Sequence, residues 1–323
     1  MAKINILEAN VALLSGGWSD EREISLDSGR ACHKALKEAG FKNIDFIDVA
    51  EHGFATKLEN GNYDVAFVAM HGKYGEDGCV QGLLEMLHIP YTFSGVTSSS
   101  LSAEKHIAKL VYQTANIPTP QGYEVEYIEQ VTEDFINKVI DEFGFPIFVK
   151  PASNGSSYGI TRVTEKSQIM GAVELALEDG DSALIEQCIE GMEITIPVIG
   201  NEEPQALEII EIDTGSEFYD LKVKYEPAEL HHICPARLDE KTYKLAQYYA
   251  VEAHKALRCE GASRSDFIVS KEGVPTILET NSIPGMTETS LLPDSARHLG
   301  IEFSELCRKF IEFAFDRFGV EYK

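Results

Sequence analysis

The sequence predicts an α/β fold in which an N-terminal parallel α/β unit is followed by two α+β units. Residues 11–14 (VALL) and 64–69 (DVAFVA) read as buried strands, and uninterrupted apolar strands are typical of parallel sheets. Residues 24–39 lie between them and repeat apolar side chains with helical spacing. A Pro-rich passage at residues 117–122 (IPTPQG) then marks a seam in the chain.

Two further units are expected around and after this seam. A helix-like run at residues 103–115 precedes it, and strands and helices then alternate around FPIFVKP and GITRV. A third region contains the strand-like segments ALIEQ, EITIPVIG and ALEIIEI, a helix at residues 239–257 and a final hairpin. We therefore expect three domains, over residues 1–102, 103–182 and 183–323.

The composition indicates a globular, cytoplasmic protein. The chain has 323 residues, 44% hydrophobic side chains and a formal net charge of −25, so it would repel nucleic acids and anionic membrane surfaces. Its six cysteines form no CxxC pair, which favours buried, reduced thiols over a disulfide scaffold. The N-terminus lacks a signal-peptide pattern and no uncharged apolar stretch is long enough to span a bilayer, so we expect no membrane partner.

The segment DFIVSKEGVPTILETN, from Asp266 to Asn281, predicts a β-hairpin with polar side chains at the ends of both strands. If the turn centres on the Glu-Gly of KEG, Asp266 lies opposite Glu279 and Arg264 lies opposite Asn281. Side chains two apart on a strand share a face, so all four project from the same side of the sheet.

Two facing carboxylates at this position repel each other unless a cation or a proton lies between them. Oxygen ligands of this kind suit Mg²⁺, which takes a few protein oxygens and leaves its other positions to water and phosphates. The alternative, a solvated hairpin end without a metal, stays open on these residues alone.

The stretch SGGWSDEREISL, residues 15–26, predicts a strand that runs into two glycines and a helix start. The glycines allow the backbone to approach a ligand closely, but the acidic residues would repel a phosphate. Glu21 suits a substrate ammonium. Asp20 and Glu23 are explained by the helix dipole alone.

The stretch MHGKYGEDGCVQG, residues 70–82, follows a buried strand. Open parallel sheets bind ligands at the carboxyl ends of their strands, so His71 is a candidate to hydrogen-bond a substrate. A lone histidine is more often structural, and that alternative stays open.

The stretch FVKPASNGSSYGITRV, residues 148–163, predicts a strand, a Gly/Ser loop and a second strand. A Walker A loop leads into a helix instead. Here backbone N–H groups and hydroxyls would cover phosphates while Lys150 supplies charge; a mobile loop without a ligand is the alternative. Glu186 and Glu193 bracket the strand break at IEGM and suit the adenine amine and the ribose of a nucleotide.

The order of these stretches resembles the D-alanine–D-alanine ligase family of the ATP-grasp superfamily. The resemblance covers nearly the whole chain and rests on these blocks in one order: SGGWSDEREISL, MHGKYGEDGCVQGLLE, IPYTFSGV, KPASNGSSYGI, LIEQCIEGMEIT, FYDLKVKY, CPA, SRSDF and LETNSIPGMTETSLLP. It implies the ATP-grasp fold, in which the two later domains clamp ATP between them. It also implies ligation of two D-alanines for peptidoglycan precursor synthesis, with ATP converted to ADP and phosphate through an acyl phosphate.

The resemblance implies roles for the hairpin residues and for several others. Asp266, Glu279 and Asn281 match the ligands of two Mg²⁺ ions, with Mn²⁺ as an alternative metal. Arg264 matches a residue that contacts the oxyanion and the acyl phosphate. The residues that match contacts to ATP are Lys105, Lys150, Glu186, Glu193 and Lys224.

Substrate contacts are implied in the same way. Glu21 matches the acid that holds the ammonium of the first D-alanine and forms, with Ser156 and Tyr225, a hydrogen-bonded set that closes the active-site loops. The resemblance implies that Tyr225 favours D-alanine as acceptor. The other pocket residues are His71 and Gly285, with Ser290 and Leu291 for the carboxylate of the second D-alanine.

Two rival functions stay open. An ATP-grasp ligase with another acceptor, such as D-lactate, D-serine or another amino acid, is hard to distinguish because acceptor choice depends on pocket shape. A nucleotide-binding regulator without catalysis predicts the loss of Lys150 or of the hairpin residues, and all of these are present. A homodimer is implied by the resemblance alone.

Overall fold

The computed structural model of the chain describes residues 3–153, 159–213 and 231–323. Strands of the described residues form a three-stranded, a four-stranded and a six-stranded sheet. The helices and strands are β1 (Asn10–Ser15), α1 (Arg22–Glu38), β2 (Asn43–Asp48), α2 (Phe54–Asn60), β3 (Val65–Val68), α3 (Cys79–Met86), α4 (Val96–Ala103), α5 (Lys105–Thr114), β4 (Gly122–Val125), α6 (Glu133–Phe143), β5 (Ile147–Pro151), β6 (Thr161–Val163), α7 (Ile169–Asp179), β7 (Ala183–Gln187), β8 (Gly191–Ile199), β9 (Gln205–Ala206), β10 (Ile210–Asp213), β11 (His231–Ile233), α8 (Glu240–Ala256), β12 (Ala262–Ser270), β13 (Pro275–Asn281), α9 (Leu291–His298) and α10 (Phe303–Arg317).

The N-terminal sheet is parallel, as the sequence predicts, with strand order β2-β1-β3. The central strand β1 is apolar because both of its faces are covered, and Val11, Ala12, Leu13 and Leu14 are fully buried. Helix α1 packs closely on this strand. A Cβ atom at Gly29 of α1 would lie 2.6 Å from Cβ of Ser15, so only glycine fits there.

The last helix, α10, packs on this N-terminal layer rather than on the sheet that precedes it in sequence. Its buried residues Leu306, Phe310 and Phe315 belong to the same hydrophobic core as the N-terminal strands. The rings of Phe93 and Phe310 lie 4.9 Å apart. The chain ends therefore meet in one core, a contact that periodicity does not predict.

The four-stranded sheet has the order β4-β7-β5-β6 and is antiparallel. Its buried side chains, including Val149, Val163 and Ile185, pack with those of α6 and α7. We expected a domain boundary at residue 182, but β7 follows that position and pairs with both β4 and β5. The sheet is complete only at Gln187.

The six-stranded sheet has the order β11-β10-β8-β12-β13, and β9 also pairs with β8. Helix α8 covers one face with small side chains, since Ala246, Ala250 and Ala253 are fully buried. The segment ALEIIEI, which we predicted as one strand, ends as the separate strands β9 and β10. Between these strands a tertiary contact replaces strand pairing, because the Ile209 N–H donates to Tyr243 Oη of α8 at 2.8 Å instead of to a neighbouring strand.

The final hairpin has the predicted pairing at its charged end, where Asp266 lies opposite Glu279 and Arg264 lies opposite Asn281. Near the turn the register differs by one residue, because Phe267 pairs with Ile277. A bulge between these pairs absorbs the extra residue of β13. The predicted pairing of the charged residues is confirmed. The predicted turn centre, between Glu272 and Gly273, is wrong by half a residue.

All six cysteines are unpaired thiols. Cys32, Cys259 and Cys307 are buried as expected, whereas Cys79 is exposed, so the expectation of buried thiols holds for only part of the set. Among the helices of the described residues, none combines the length and the apolar character that crossing a membrane requires.

His254 of α8 predicts a pH-dependent stability. The side chain is fully buried, and its Nδ1 lies 2.8 Å from Ser263 Oγ. Burial lowers the pKa of His254 to about 4. Between that value and about 6.5 the unfolded chain binds a proton that the folded chain does not. The free energy of unfolding should therefore fall as the pH drops through this window, by on the order of 2–3 kcal/mol.

Urea unfolding of the wild type and of His254→Gln between pH 4 and pH 7 measures this contribution. We expect the variant to lose much of the pH dependence, while His52→Gln, at an exposed position, keeps the wild-type slope. An unchanged slope in His254→Gln would show that other groups titrate.

Candidate active site

The polar face of β12 and β13 forms the centre of the site. Arg264 donates to both carboxylate oxygens of Asp266, with Nε–Oδ1 and Nη2–Oδ2 distances of 3.1 and 2.9 Å. Pairing of β12 with β8 places Thr195 opposite Asp266, and Thr195 Oγ1 donates to Oδ1 at 2.5 Å. Glu279 and Asn281 lie on the neighbouring strand. Two carboxylates, an amide and a guanidinium therefore share one surface.

Strand alternation explains why this surface is polar. Burial along β12 alternates from residue to residue, so Ser263, Ser265 and Phe267 point into the core beneath α8 while Arg264 and Asp266 face the other way. The core face fixes the strand, and the strand fixes the position of the charged groups. A slip by one residue would bury both charges.

Helix α5 connects the two antiparallel sheets through a pair of lysines. Lys105 Nζ lies 3.4 Å from Glu279 Oε2 on β13 of the six-stranded sheet. Lys109 Nζ lies 2.8 Å from Glu186 Oε2 on β7 of the four-stranded sheet. Residues four apart lie on one face of a helix, so α5 presents one ammonium group to each sheet.

Glu186 is held between two lysines. The register β5–β7 places Lys150 and Glu186 on the same face, and Lys150 Nζ lies 2.5 Å from Glu186 Oε1. Burial would raise the pKa of the Glu186 carboxyl, but the charges of Lys109 and Lys150 outweigh it and keep this pKa below its usual value. The group is therefore an anion at neutral pH in spite of its burial.

Glu186, the expected contact to adenine, is thus an ion-paired carboxylate in the structure. Its Oε2 is near Lys109 but has no well-aligned hydrogen bond among the described residues. This oxygen retains the capacity to accept from a ligand amine. Glu193, the expected ribose contact, lies on β8 opposite Ile268 of β12, two residues before Thr195 and on the same polar face.

Glu21 and His71 come together at the carboxyl edge of the parallel sheet. Glu21 immediately precedes α1, and a Cβ atom at Gly72 would lie 3.6 Å from Glu21 Cδ. Ser19 Oγ donates to the His71 carbonyl at 2.8 Å. The two loops singled out in the sequence therefore form one surface.

Ser28 joins this surface to the C-terminal loop. Its Oγ lies 2.8 Å from His71 Nε2 and accepts from the Met286 N–H at 3.4 Å. The preceding residue, Gly285, is close to Ser290: a Cβ atom at Gly285 would lie 3.1 Å from Ser290 Oγ. His71 of the N-terminal region and Gly285 and Ser290 of the C-terminal region, all expected to bind substrate, therefore lie close together.

Ser290 and Leu291 lie at the start of α9. Ser290 is the N-cap residue, and its Oγ accepts from the Thr287 N–H at 3.0 Å. Leu291 is the first helical residue, and the first N–H groups of a helix have no partner within it. Such N–H groups and the helix dipole favour an anion, which suits a carboxylate.

Ser156, Lys224 and Tyr225 lie outside the described residues, and so do the centre of the predicted phosphate loop and the segment that carries Lys224 and Tyr225.

Sequence reasoning missed Lys109, Thr195 and Ser28. Lys109 had a detectable signal, because it lies four residues after Lys105 in an amphipathic helix whose Ala108 and Tyr112 are apolar. Thr195 and Ser28 had none, since their roles depend on which strand or loop lies beside them.

Comparison with known proteins identifies the family. The profile of the D-ala D-ala ligase C-terminus matches residues 111–312, and that of the D-ala D-ala ligase N-terminus matches residues 47–94. A D-alanine–D-alanine ligase from Pelotomaculum thermopropionicum is 43% identical over 316 residues, which cover 96% of this chain and 98% of that protein. The chain belongs to the D-alanine–D-alanine ligase family. A second member, from Desulforamulus reducens, is 41% identical over 95% of this chain and 99% of its own.

Two solved ligase structures share the fold. The Bacillus anthracis D-alanine–D-alanine ligase complexed with ATP has a TM-score of 0.81 and 31% identity, covering 96% of this chain and 99% of that one. The VanG D-Ala:D-Ser ligase from Enterococcus faecalis has a TM-score of 0.79 and 28% identity, covering 95% and 99%. The predicted ATP-grasp fold, with a parallel N-terminal sheet and antiparallel later sheets, is confirmed.

Proposed function

We propose that this chain ligates two D-alanine molecules to D-alanyl-D-alanine, with ATP converted to ADP and phosphate, for peptidoglycan precursor synthesis. The observation that carries the proposal is the polar surface of Arg264, Asp266, Glu279 and Asn281 on two paired strands, in a member of this ligase family. Such a surface supplies the positive and metal-binding groups that phosphoryl transfer requires.

The nucleotide lies, in this proposal, between the two antiparallel sheets. Lys105 and Lys150 contact its phosphates, Glu186 accepts from the adenine amine and Glu193 binds the ribose. Three features support this: Lys150 and Glu186 lie on β5 and β7 of the four-stranded sheet, and Glu193 lies on β8 of the six-stranded sheet. Helix α5, which carries Lys105, contacts both sheets. Lys224, outside the described residues, is proposed as a further ATP contact.

The metal ligands we propose are Asp266, Glu279 and Asn281. Their donor set is two carboxylates and one amide oxygen, which fits Mg²⁺ or Mn²⁺ that keeps water and phosphate in its other positions. In the structure both carboxylates are paired with cations, Asp266 with Arg264 and Glu279 with Lys105. A bound Mg²⁺, of which we propose two, would neutralise phosphate charge and orient the phosphates. Metal binding to these carboxylates would leave Arg264 and Lys105 able to pair with phosphate oxygens instead.

The substrate groups we propose act on the two D-alanines separately. Glu21 holds the ammonium of the first one beside His71 and Gly285, and Ser290 with the Leu291 N–H holds the carboxylate of the second. The first carboxylate attacks the γ-phosphate to form an acyl phosphate, which the amine of the second then attacks. Arg264 stabilises the oxyanion of that step. Ser156 and Tyr225 are proposed to close the loops with Glu21.

We also propose the assembly and location of the protein. Its three domains are separated near residue 102 and, because β7 belongs to the central sheet, near residue 187 rather than 182. Membership of the ligase family supports a homodimer. The use of ATP as co-substrate supports a cytoplasmic location.

The proposed reaction is tested by phosphate release with Mg²⁺-ATP and D-alanine, L-alanine, or D-alanine with D-lactate or D-serine, with products identified by mass. We expect release with D-alanine alone and D-alanyl-D-alanine as product. The acceptor needs this test because a protein of the same fold is a D-Ala:D-Ser ligase. Turnover only with another pair would overturn the acceptor assignment, and ATP binding without turnover would favour a regulator.

Glu279→Gln tests the metal assignment. The change keeps the size of the side chain but removes a ligand charge, so we expect kcat/KM for Mg²⁺-ATP to fall on the order of 100-fold. Glu272→Gln is the matched control, since Glu272 is exposed in the turn of the same hairpin. Near-normal turnover in Glu279→Gln, or an equal loss in the control, would contradict the assignment.

A further inference from the structure

Lys109 of α5 is a buried cation to which the proposed reaction gives no task. Its side chain is only 4% exposed, as is that of its partner Glu186. Its Nζ lies 2.8 Å from Glu186 Oε2 and donates to Thr119 Oγ1 at 3.1 Å. A lysine is almost never buried to this degree unless paired, because removing an ammonium group from water is costly.

The position of Lys109 is fixed from both antiparallel sheets. Thr119, which accepts from its ammonium group, donates to the Ile277 carbonyl of β13 at 2.9 Å. Glu186, the other partner, belongs to β7 of the four-stranded sheet. The ammonium group therefore lies where the two sheets meet, on the same helix face as Lys105.

The charges around Glu186 do not cancel. One carboxylate lies between two ammonium groups, with Lys150 Nζ 2.5 Å from its other oxygen. Because Lys109 offsets the charge of Glu186, these three groups have an excess of one positive charge, that of Lys150. Without Lys109, Glu186 and Lys150 would neutralise each other, and a polyphosphate would meet an electrically neutral pair.

We propose that Lys109 is a positioning residue of the nucleotide pocket, which orients and neutralises the Glu186 carboxylate so that Lys150 keeps its charge for the phosphates of ATP. The inference rests on the proposed function, because it assumes that ATP binds between these sheets. Lys109 acts through Glu186 and Lys150 and itself contacts neither substrate.

The protonation of Lys109 offers an independent readout. Burial lowers the pKa of Lys109 to about 8, against the opposing charge of Glu186. The other charged groups that act on it are Lys150 on β5, which lowers this pKa, and Glu279 on β13, which raises it. Raising the pH from 7 to 9 should therefore neutralise Lys109 in the free protein and weaken ATP binding.

The experiment compares Lys109→Met and Lys109→Arg with the wild type. The dissociation constant of ATP is measured by calorimetry at pH 7, with KM for ATP, KM for D-alanine and the midpoint of thermal unfolding. We expect Lys109→Met to raise the ATP dissociation constant roughly ten-fold, the order expected for one charge a few ångströms from a phosphate, and to leave KM for D-alanine within about two-fold. Lys109→Arg keeps the charge and should lose less than Lys109→Met.

Arg317→Met is the control for lost stability. Arg317 is a largely buried cation that pairs with Glu85 and Glu260 and contacts none of the proposed nucleotide residues. This variant should unfold at a lower temperature yet bind ATP as the wild type does. A ten-fold weaker affinity in this control would mean that destabilisation alone explains Lys109→Met and would overturn the inference.

A second comparison tests the proposed role of Lys109 even if the Lys109→Met variant does not fold. ATP affinity is measured from pH 7 to pH 9 in the wild type and in Lys109→Arg, whose guanidinium stays charged over this range. We expect the wild type to weaken several-fold and Lys109→Arg to stay nearly level. Equal slopes, or a Lys109→Met protein that binds ATP normally, would overturn the inference while leaving the ligase reaction intact. A wild type that does not bind ATP would overturn the proposed function and this inference together.

Discussion

The central position of β12 is the constraint on which the site depends. This strand pairs with β8 on one side and with β13 on the other, in antiparallel register over most of its length. Asp266 therefore has Thr195 and Glu279 as direct neighbours. The opposite face of the strand is held by the apolar core beneath α8, so the spacing of the charged groups is set by main-chain hydrogen bonds and not by flexible side chains.

Charge compensation is the second organising feature. The chain carries a formal charge of −25, yet carboxylates around the proposed nucleotide pocket are paired with cations: the partly exposed Glu279 with Lys105, and the buried Glu186 with Lys109 and Lys150. Buried charges without partners would be costly. The pairing lets an acidic protein present local positive charge to an anionic ligand, which its overall field would repel.

In the final hairpin, the predicted pairing of the charged residues is correct because a shifted turn and a β-bulge offset each other. Alternation and the turn signal correctly place Asp266 opposite Glu279, but the pairs next to the turn are one residue out of the predicted register. The bulge that restores the register has no local signature. It follows from the need to keep Phe267 and Ile277 in the core and the charged pair on the other face.

The sequence by itself determined the class of fold and most strands and helices, because strand and helix periods are local. Polar motifs that interrupt apolar runs indicated the hairpin residues, Glu21, His71, Lys150, Glu186 and Glu193. The other site residues were implied by the resemblance to the ligase family. Only the tertiary structure decided which segments meet. Ser28 and Met286 are 258 residues apart, and α10 packs on the first sheet of the chain. The contacts of Lys109 with Glu186 and of Thr195 with Asp266 are of the same kind. Each depends on the packing of separate elements, and local spacing carries no information about that packing.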